Sequence, residues 1–172
     1  MNFFVVIRGP LGVGKTTIAK KIAETLVAEY IVIDALLSKK KLDRTGGDIP
    51  VENFLLATKV VLPRVKRILE TGKCVVFDGN FYNREQIVQL VEELPFAHFI
   101  FTLKAPLAVC IKRDSQRKKP YGKPATKAVY KLVSKVKIGI SIDTNGKSEE
   151  EVTNAILKTV FGQKKTKRMK II

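Results

Sequence analysis

A glycine-rich turn near the amino terminus limits the folds open to this chain more than any other feature. Residues 9–17 read Gly-Pro-Leu-Gly-Val-Gly-Lys-Thr-Thr and match the pattern G-x-x-x-x-G-K-[ST]. An apolar, strand-like run, Phe3–Arg8, enters the turn, and an amphipathic stretch that begins at Lys15 leaves it. A strand, a glycine turn and a helix in this order predict a loop whose backbone N–H groups surround a phosphate.

The residue types in this turn each suit phosphate binding. Glycines at 9, 12 and 14 let the backbone curl so that successive N–H groups point inward. Lys15 is expected to reach the β- and γ-phosphates of ATP and to act in catalysis, and the Thr16 hydroxyl is expected to ligate Mg²⁺. The predicted cofactors are therefore ATP and Mg²⁺. The predicted nucleotide-binding residues are Gly9, Gly12, Val13, Gly14, Lys15, Thr16 and Thr17.

Apolar runs alternate with helix-like stretches along the rest of the chain. Five runs rich in Val, Ile and Phe are predicted to be strands: Phe3–Arg8, Ile31–Ile33, Cys74–Phe77, Phe99–Leu103 and Ile138–Ile142. Helices are predicted over Lys15–Glu29, Glu52–Leu69 with a kink or break at Pro63, Arg84–Glu93, Leu107–Arg117, Thr126–Lys135 and Glu149–Phe161. The alternation predicts an α/β fold with a parallel sheet.

Charge is concentrated in two parts of the chain. The 172 residues carry a net charge of +16, and the stretch from Lys104 to Lys137 holds eleven Lys or Arg and one Asp. Five more basic residues and no acid lie between Gly162 and the end. We expect one domain over residues 1–161 and a basic tail over residues 162–172. The basic segment either contacts a polyanion or, in the plainer interpretation, keeps the protein in solution.

Composition excludes several functional classes. No apolar run approaches the roughly 20 residues of a membrane span, and the first residues lack the features of a signal peptide. One histidine and two cysteines are too few for a Cys/His metal cluster. Cys74 and Cys110 are expected to be buried free thiols, and a cytoplasmic location is expected by default.

Two of the predicted strands end in an aspartate. Asp34 follows the run Ile31–Ile33, and Asp78 follows Cys74–Phe77. Because ligands bind beyond the carboxyl ends of strands in open parallel sheets, both carboxylates are expected on the same rim as the phosphate loop. One would orient Mg²⁺ and the other would accept a proton from an attacking hydroxyl, and the sequence alone does not assign these roles. In the plainer interpretation each aspartate caps a helix or forms a turn.

The basic stretch 112–124 contains two arginines four positions apart. Arg113 and Arg117 would share one face if the helix continued, and Pro120 and Gly122 predict a loop after it. A mobile loop with arginines suits phosphoryl transfer, because guanidinium groups stabilise the transferred charge and closure excludes water. We predict a basic lid over about residues 112–130 with both arginines as catalytic residues. The alternative is a solvated basic face.

These motifs together resemble the P-loop kinases of nucleosides, nucleotides, polynucleotide 5′-ends and small metabolites, including zeta-toxin-like enzymes. The similarity spans nearly the whole chain. It lies in the phosphate loop, in Val75–Phe81 (Val-Val-Phe-Asp-Gly-Asn-Phe) followed by Arg84, in Leu103–Pro106 followed by Cys110–Arg113 and Arg117, and in Ile142–Thr144 followed by Ser148–Val152. The resemblance implies a three-layer P-loop NTPase fold, a five-stranded parallel sheet in the order 2-3-1-4-5, and the use of ATP with Mg²⁺.

The resemblance also bears on the acceptor. It implies that Asp34 is the base or the anchor of the acceptor, and we assign the metal to Thr16 and Asp78. The predicted substrate-binding residues are Asp34, Arg44, Asp78 and Asn80. Many relatives carry a second acid or an arginine just after the aspartate, whereas Ala35-Leu36-Leu37 follows here and the next arginine is Arg44. The Asp-Gly-Asp-Asn motif of adenylylsulfate kinases is absent, so that substrate is less favoured.

The sequence therefore predicts an ATP-dependent kinase that transfers the γ-phosphoryl group to a hydroxyl of a small metabolite, a nucleoside or nucleotide, or a nucleic-acid end. A GTPase would need the guanine-reading Asn-Lys-x-Asp, which is absent. One open alternative is a nucleic-acid-associated ATPase that uses the basic segment and tail, where only Tyr121 and Tyr130 could stack on bases. Another is a nucleotide-binding module without chemistry. The protein is expected to be a monomer or homodimer without membrane association.

Overall fold

The computed structural model describes residues 2–43 and 49–162. Five strands form one sheet: β1 Phe3–Arg8, β2 Glu29–Val32, β3 Val75–Gly79, β4 Ala97–Lys104 and β5 Ile140–Asp143. All pairings in this sheet are parallel, and the strand order is β2-β3-β1-β4-β5. The predicted α/β fold and its strand order are confirmed.

Helices cover both faces of the sheet. They are α1 Lys15–Leu26, α2 Ile33–Lys39, α3 Val51–Glu70, α4 Arg84–Glu93, α5 Leu107–Ser115, α6 Lys123–Lys135 and α7 Glu149–Gly162. Phe4 and Val6 of β1 pack into a cluster with side chains of α3 and α4, whereas Val5 and Ile7 pack into a second cluster with side chains of α1 and α7. The central strands are apolar at nearly every position because both of their faces are buried in this three-layer arrangement. Among the described residues, no helix combines the length and the apolarity that crossing a bilayer requires.

Of the six predicted helices, only α4 has its predicted bounds; α6 begins at Lys123 rather than Thr126, and α7 ends at Gly162 rather than Phe161. The other three differ as follows. Helix α1 ends at Leu26 rather than Glu29, because Val27 takes a left-handed backbone conformation with φ of 50°. Helix α3 continues through Pro63, so of the predicted kink or break, the break does not occur; its long buried stripe, which includes Phe54 and Leu69, outweighs the hydrogen bond that proline removes. Helix α5 ends at Ser115, two residues before the predicted end.

Helix α2 was not predicted at all. The run Ile31–Ile33 was interpreted as a strand that ends in Asp34, but β2 ends at Val32 and α2 begins at Ile33. Ile33 and Leu37 lie four residues apart, and both are almost fully buried against the core. Asp34 therefore stands in the first turn of a helix instead of at the end of a strand.

Candidate active site

The phosphate loop, residues 9–17, connects β1 to α1 as predicted. Gly12 and Gly14 have φ of 74° and 101°, conformations that favour glycine. A Cβ at Gly12 would lie 2.1 Å from the carbonyl oxygen of Cys110, so the close approach of α5 also requires glycine there. Lys15 is 8% exposed, and its ammonium donates to the Pro10 carbonyl at 2.8 Å. Burial lowers the pKa of Lys15, and the carboxylates of Asp34 and Asp78 oppose that shift.

A cavity of about 490 Å³ opens beside Lys15. Its charged and polar lining residues include a Lys15 group, which comprises Lys15, Thr16, Asp78 and Arg117, and an Asp34 group, which comprises Asp34, Ser38, Asp43 and Asn80. Apolar and aromatic side chains complete the described wall, some of them in α2, α3 and α6 and others, such as Ile49 and Tyr82, in the segments between helices and strands. The cavity therefore brings residues from widely separated parts of the chain to the phosphate loop.

Asp78 connects the phosphate loop to the sheet. It lies within β3, between the neighbouring strands β1 and β2, and is 2% exposed. Its Oδ2 accepts a hydrogen bond from the Thr16 hydroxyl at 2.8 Å and one from the Tyr30 hydroxyl at 2.7 Å. Burial and the bond to Asp78 raise the pKa of Tyr30, so the phenol is protonated and donates. The role of Tyr30 is not apparent from the sequence, because a tyrosine in a strand gives no signal of what it contacts.

The Thr16–Asp78 pair has the donor chemistry that Mg²⁺ requires. A hydroxyl and a carboxylate are hard oxygen ligands, and Mg²⁺ commonly binds through one or two such side chains together with water and substrate phosphates. In the described part of the chain, no group of three or more His, Cys, Asp or Glu side chains could hold a metal by itself. The residues at this position therefore fit a metal that binds mainly through phosphate.

Asp34 lies close to the lysine but has a separate partner. The Asn80 side-chain amide donates to its Oδ2 at 3.1 Å. Burial raises the pKa of Asp34 to about 6, an effect that the Lys15 ammonium opposes and the Asp78 carboxylate reinforces. At neutral pH the carboxyl is mostly ionised, and it can take a proton from a bound hydroxyl.

The two predicted lid arginines have different surroundings. Half-buried Arg113 donates to the hydroxyl and the carbonyl of Thr144, both at 3.0 Å, and to the Val13 carbonyl at 3.3 Å. It thus links the phosphate loop to the segment after β5. Arg117 lines the cavity, and its guanidinium lies 5.1 Å from the centre of the Tyr121 ring. Because α5 ends at Ser115, the helix does not continue to Arg117, and the two arginines do not share one helix face.

Asp114 organises the connection between α5 and α6. It is 1% exposed, and its Oδ2 accepts the Gly122 backbone N–H at 2.9 Å. Its Oδ1 lies 3.6 Å from the Arg117 guanidinium. The role of Asp114 is not apparent from the sequence, because one acid among many basic residues suggests a solvated surface.

Arg8 is another residue whose role is not apparent from the sequence. It ends β1 and is fully buried, and its guanidinium donates to the carbonyls of Phe81, Val133 and Val136 and to the Thr102 hydroxyl, at 2.9–3.2 Å. Burial lowers the pKa of Arg8 to about 10, so it stays charged at neutral pH. Arg8 therefore joins the strand that enters the phosphate loop to the end of α6.

The remaining predicted residues divide into three sets. Gly9, Gly12, Val13, Gly14 and Thr17 lie in the phosphate loop or the first turn of α1. The lysines of the basic segment are exposed. Arg44 and tail residues 163–172 lie outside the described residues.

Comparisons with known proteins agree with this geometry. A family model described as an AAA domain matches residues 4–135. A Pyrococcus furiosus protein named "Putative adenylate kinase" is 30% identical over 165 residues, which cover 91% of this chain and 83% of that protein. The deoxyguanosine kinase of Bacillus subtilis is 24% identical over 163 residues, 80% of this chain and 78% of that one.

Solved structures share the fold. The unliganded crystal structure of a sugar kinase from a Janibacter species has a TM-score of 0.78 at 20% identity, and the match covers 94% of this chain and 95% of that one. With the family match and the archaeal relative, the chain belongs to the AAA-domain family of P-loop kinases and is a phosphotransferase.

Proposed function

We propose that this protein transfers the γ-phosphoryl group of ATP to a hydroxyl of a small acceptor. The proposal rests on one observation: the same cavity is lined by Lys15, Thr16, Asp78 and Asp34. It combines a phosphate-binding lysine, oxygen ligands for Mg²⁺ and a carboxylate able to accept a proton. The relatives named as kinases of adenylate, deoxyguanosine and sugar support a small acceptor without selecting one.

The Lys15 group serves ATP in this proposal. Lys15 and the phosphate loop bind the phosphate chain, and the Thr16 hydroxyl and Asp78 carboxylate hold Mg²⁺. When bound, Mg²⁺ neutralises charge that builds up on the phosphate oxygens. Tyr30 keeps Asp78 oriented through its hydrogen bond.

The Asp34 group serves the acceptor. Asp34 accepts the proton of the attacking hydroxyl, and Asn80 holds the carboxylate in position. Arg117 stabilises the transferred group, because a planar guanidinium can bind two oxygens at once. Residues 116–122, between α5 and α6, act as the moving part of the lid within a kinase domain that covers residues 1–161.

The experiment follows labelled γ-phosphate from ATP–Mg²⁺ into a pool of nucleosides, nucleotides, oligonucleotide 5′-ends and sugars. The wild-type protein should label an acceptor, and Asp34→Asn should slow transfer by on the order of 10²-fold or more while ATP still binds. Asp143→Asn is the matched control, since it makes the same change of carboxylate to amide at the end of β5, and Asp143 is not among the residues that line the cavity. Release of labelled phosphate at one rate with or without acceptor would contradict the proposal and favour an ATPase.

A further inference from the structure

We infer that the acceptor is a neutral or positively charged ring compound with hydroxyl or amino groups, and that it carries no phosphate or carboxylate. The inference rests on the proposed function and names the substrate class of the same cavity. Charge, hydrogen-bonding capacity and the shape of the wall each support it.

The charges that remain for the acceptor are negative. Among the described lining residues, the acids are Asp34, Asp43 and Asp78, and the cations are Lys15 and Arg117. The proposed function uses both cations on the phosphates of ATP and uses Asp78 on the metal. The acceptor therefore contacts Asp34 and Asp43, and these carboxylates would repel a phosphate or carboxylate group on the acceptor.

Both acceptor-side carboxylates are held in place by neutral donors. The Asn80 amide donates to Asp34, and the Ser38 hydroxyl donates to Asp43. An ionised carboxylate accepts about four hydrogen bonds, so each keeps capacity for a ligand. Because ionised carboxylates accept hydrogen bonds but do not donate them, they favour a ligand rich in hydroxyl or amino donors.

An aromatic and aliphatic wall completes this side of the cavity. The rings of Phe54 and Tyr82 meet edge to face, with centres 5.0 Å apart and planes at 81°. Leu37 and Ile49 line the same cavity; half-buried Tyr82 and Ile49 offer surface to a ligand, whereas Phe54 and Leu37 are almost fully buried. Such a wall packs against the flat face of a ring and gains little from a small, fully hydrated ion. A nucleoside and an amino sugar both have this chemistry, and the experiment distinguishes them.

The test compares acceptors that both keep the primary hydroxyl free and differ in an anionic group elsewhere: adenosine with its 3′-monophosphate, deoxyguanosine with its 3′-monophosphate, and glucosamine with its 1-phosphate. One readout is kcat/KM for transfer from ATP–Mg²⁺ by the full chain. The other is the shift in Tm that each acceptor causes beside a non-hydrolysable ATP analogue. The uncharged or cationic member should be preferred by on the order of 100-fold, and the preferred pair identifies nucleoside or amino sugar.

Substitutions at the cavity test whether its charged side chains cause the preference for the uncharged or cationic acceptor. Asp43→Asn should lower the discrimination against the anionic member by about tenfold, because one repelling charge is removed. The control Glu85→Gln, on the exposed start of α4, should leave it unchanged. Arg44 follows Asp43 directly and lies outside the described residues. Arg44→Ala is therefore measured as well, to test whether this arginine binds an anionic group of the acceptor.

Each outcome separates the inference from the proposed function. Equal rates within a pair, or a preference for the anionic member, would overturn the inference while kinase activity stands. If Arg44→Ala then lost a preference for the anionic member, Arg44 would be the residue that binds the anionic group. Tm shifts from the uncharged members without transfer would support the inference and contradict the kinase. Neither shift nor transfer with any compound would contradict both.

Discussion

At Asp34, the pKa of the carboxyl rises from its ordinary 3.8 to about 6 because burial penalises the charge more than Lys15 stabilises it. If Asp34 is the base, only its ionised form works, so kcat/KM should fall tenfold per pH unit below about pH 6. A pH profile of phosphoryl transfer measures this limb, and Asp34→Asn should remove it along with most of the rate. An acid limb near pH 4 would mean that another group controls the rate.

The same pKa shift predicts how stability depends on pH. Between about pH 4 and 6 the folded protein binds a proton at Asp34 that the unfolded chain releases, so the contribution of this group to folding improves as pH falls through that window. At pH 7.5 the buried charge is a cost, with an upper bound of about 3 kcal/mol. Asp34→Asn should therefore raise Tm at pH 7.5 and have little effect near pH 4. A lower Tm for this variant at pH 7.5 would contradict the buried, charged carboxyl.

Arg8 is the residue whose loss should most affect stability. Arg8→Leu removes the guanidinium donor from three carbonyls and a hydroxyl; the Val133 carbonyl keeps the Val136 N–H, and each buried group that is left unpaired costs about 1–3 kcal/mol. Urea unfolding should show a loss of at least about 2 kcal/mol, and Arg8→Lys should recover part of it. An unchanged free energy of unfolding in Arg8→Leu would mean that water replaces the guanidinium without loss of stability.

At the scale of elements, Arg113 lies within α5 and Arg117 lies after its end, and we expect the two arginines to have different roles. Arg117→Ala should lower kcat more than it weakens ATP binding, because the residue lies on the cavity rim beside the connection to α6. Arg113→Ala should chiefly weaken ATP binding, because its bonds to Val13 and Thr144 support the phosphate loop. Steady-state kinetics and ATP titration measure both effects, with exposed Lys119→Ala as the control. The same kinetic effect in both variants would contradict this division.

The local pattern predicted some elements and not others for physical reasons. Buried parallel strands and the glycine loop have local signals, and β1, β3, β4 and the phosphate loop were recognised from them. Helix α2 has only seven residues and one buried pair, Ile33 and Leu37, so its helical period was hidden in an apolar run. At the end of α5, the Asp114 carboxylate accepts the Gly122 N–H, a contact that residue spacing does not reveal.

At the scale of the whole molecule, the candidate site depends on strand order. Val32 and Ile7 both pair with Asp78, and this register brings the region before α2, the phosphate loop and the end of β3 together. The residue types that could serve ATP and an acceptor were predictable from sequence. Their partners, such as Tyr30 for Asp78 and Asn80 for Asp34, depend on distances across the sheet and were not.

The division of the cavity into a Lys15 group for ATP and an Asp34 group for the acceptor is tested most directly by the Tm shift that ATP–Mg²⁺ causes. A ligand that binds only the folded state raises Tm, by an amount that corresponds to about 2.7 kcal/mol at 100 times its Kd. The wild-type protein and Asp34→Asn should show similar shifts, and Lys15→Ala should lose most of its shift while it remains folded. A full shift in Lys15→Ala, or its loss in Asp34→Asn, would contradict this assignment.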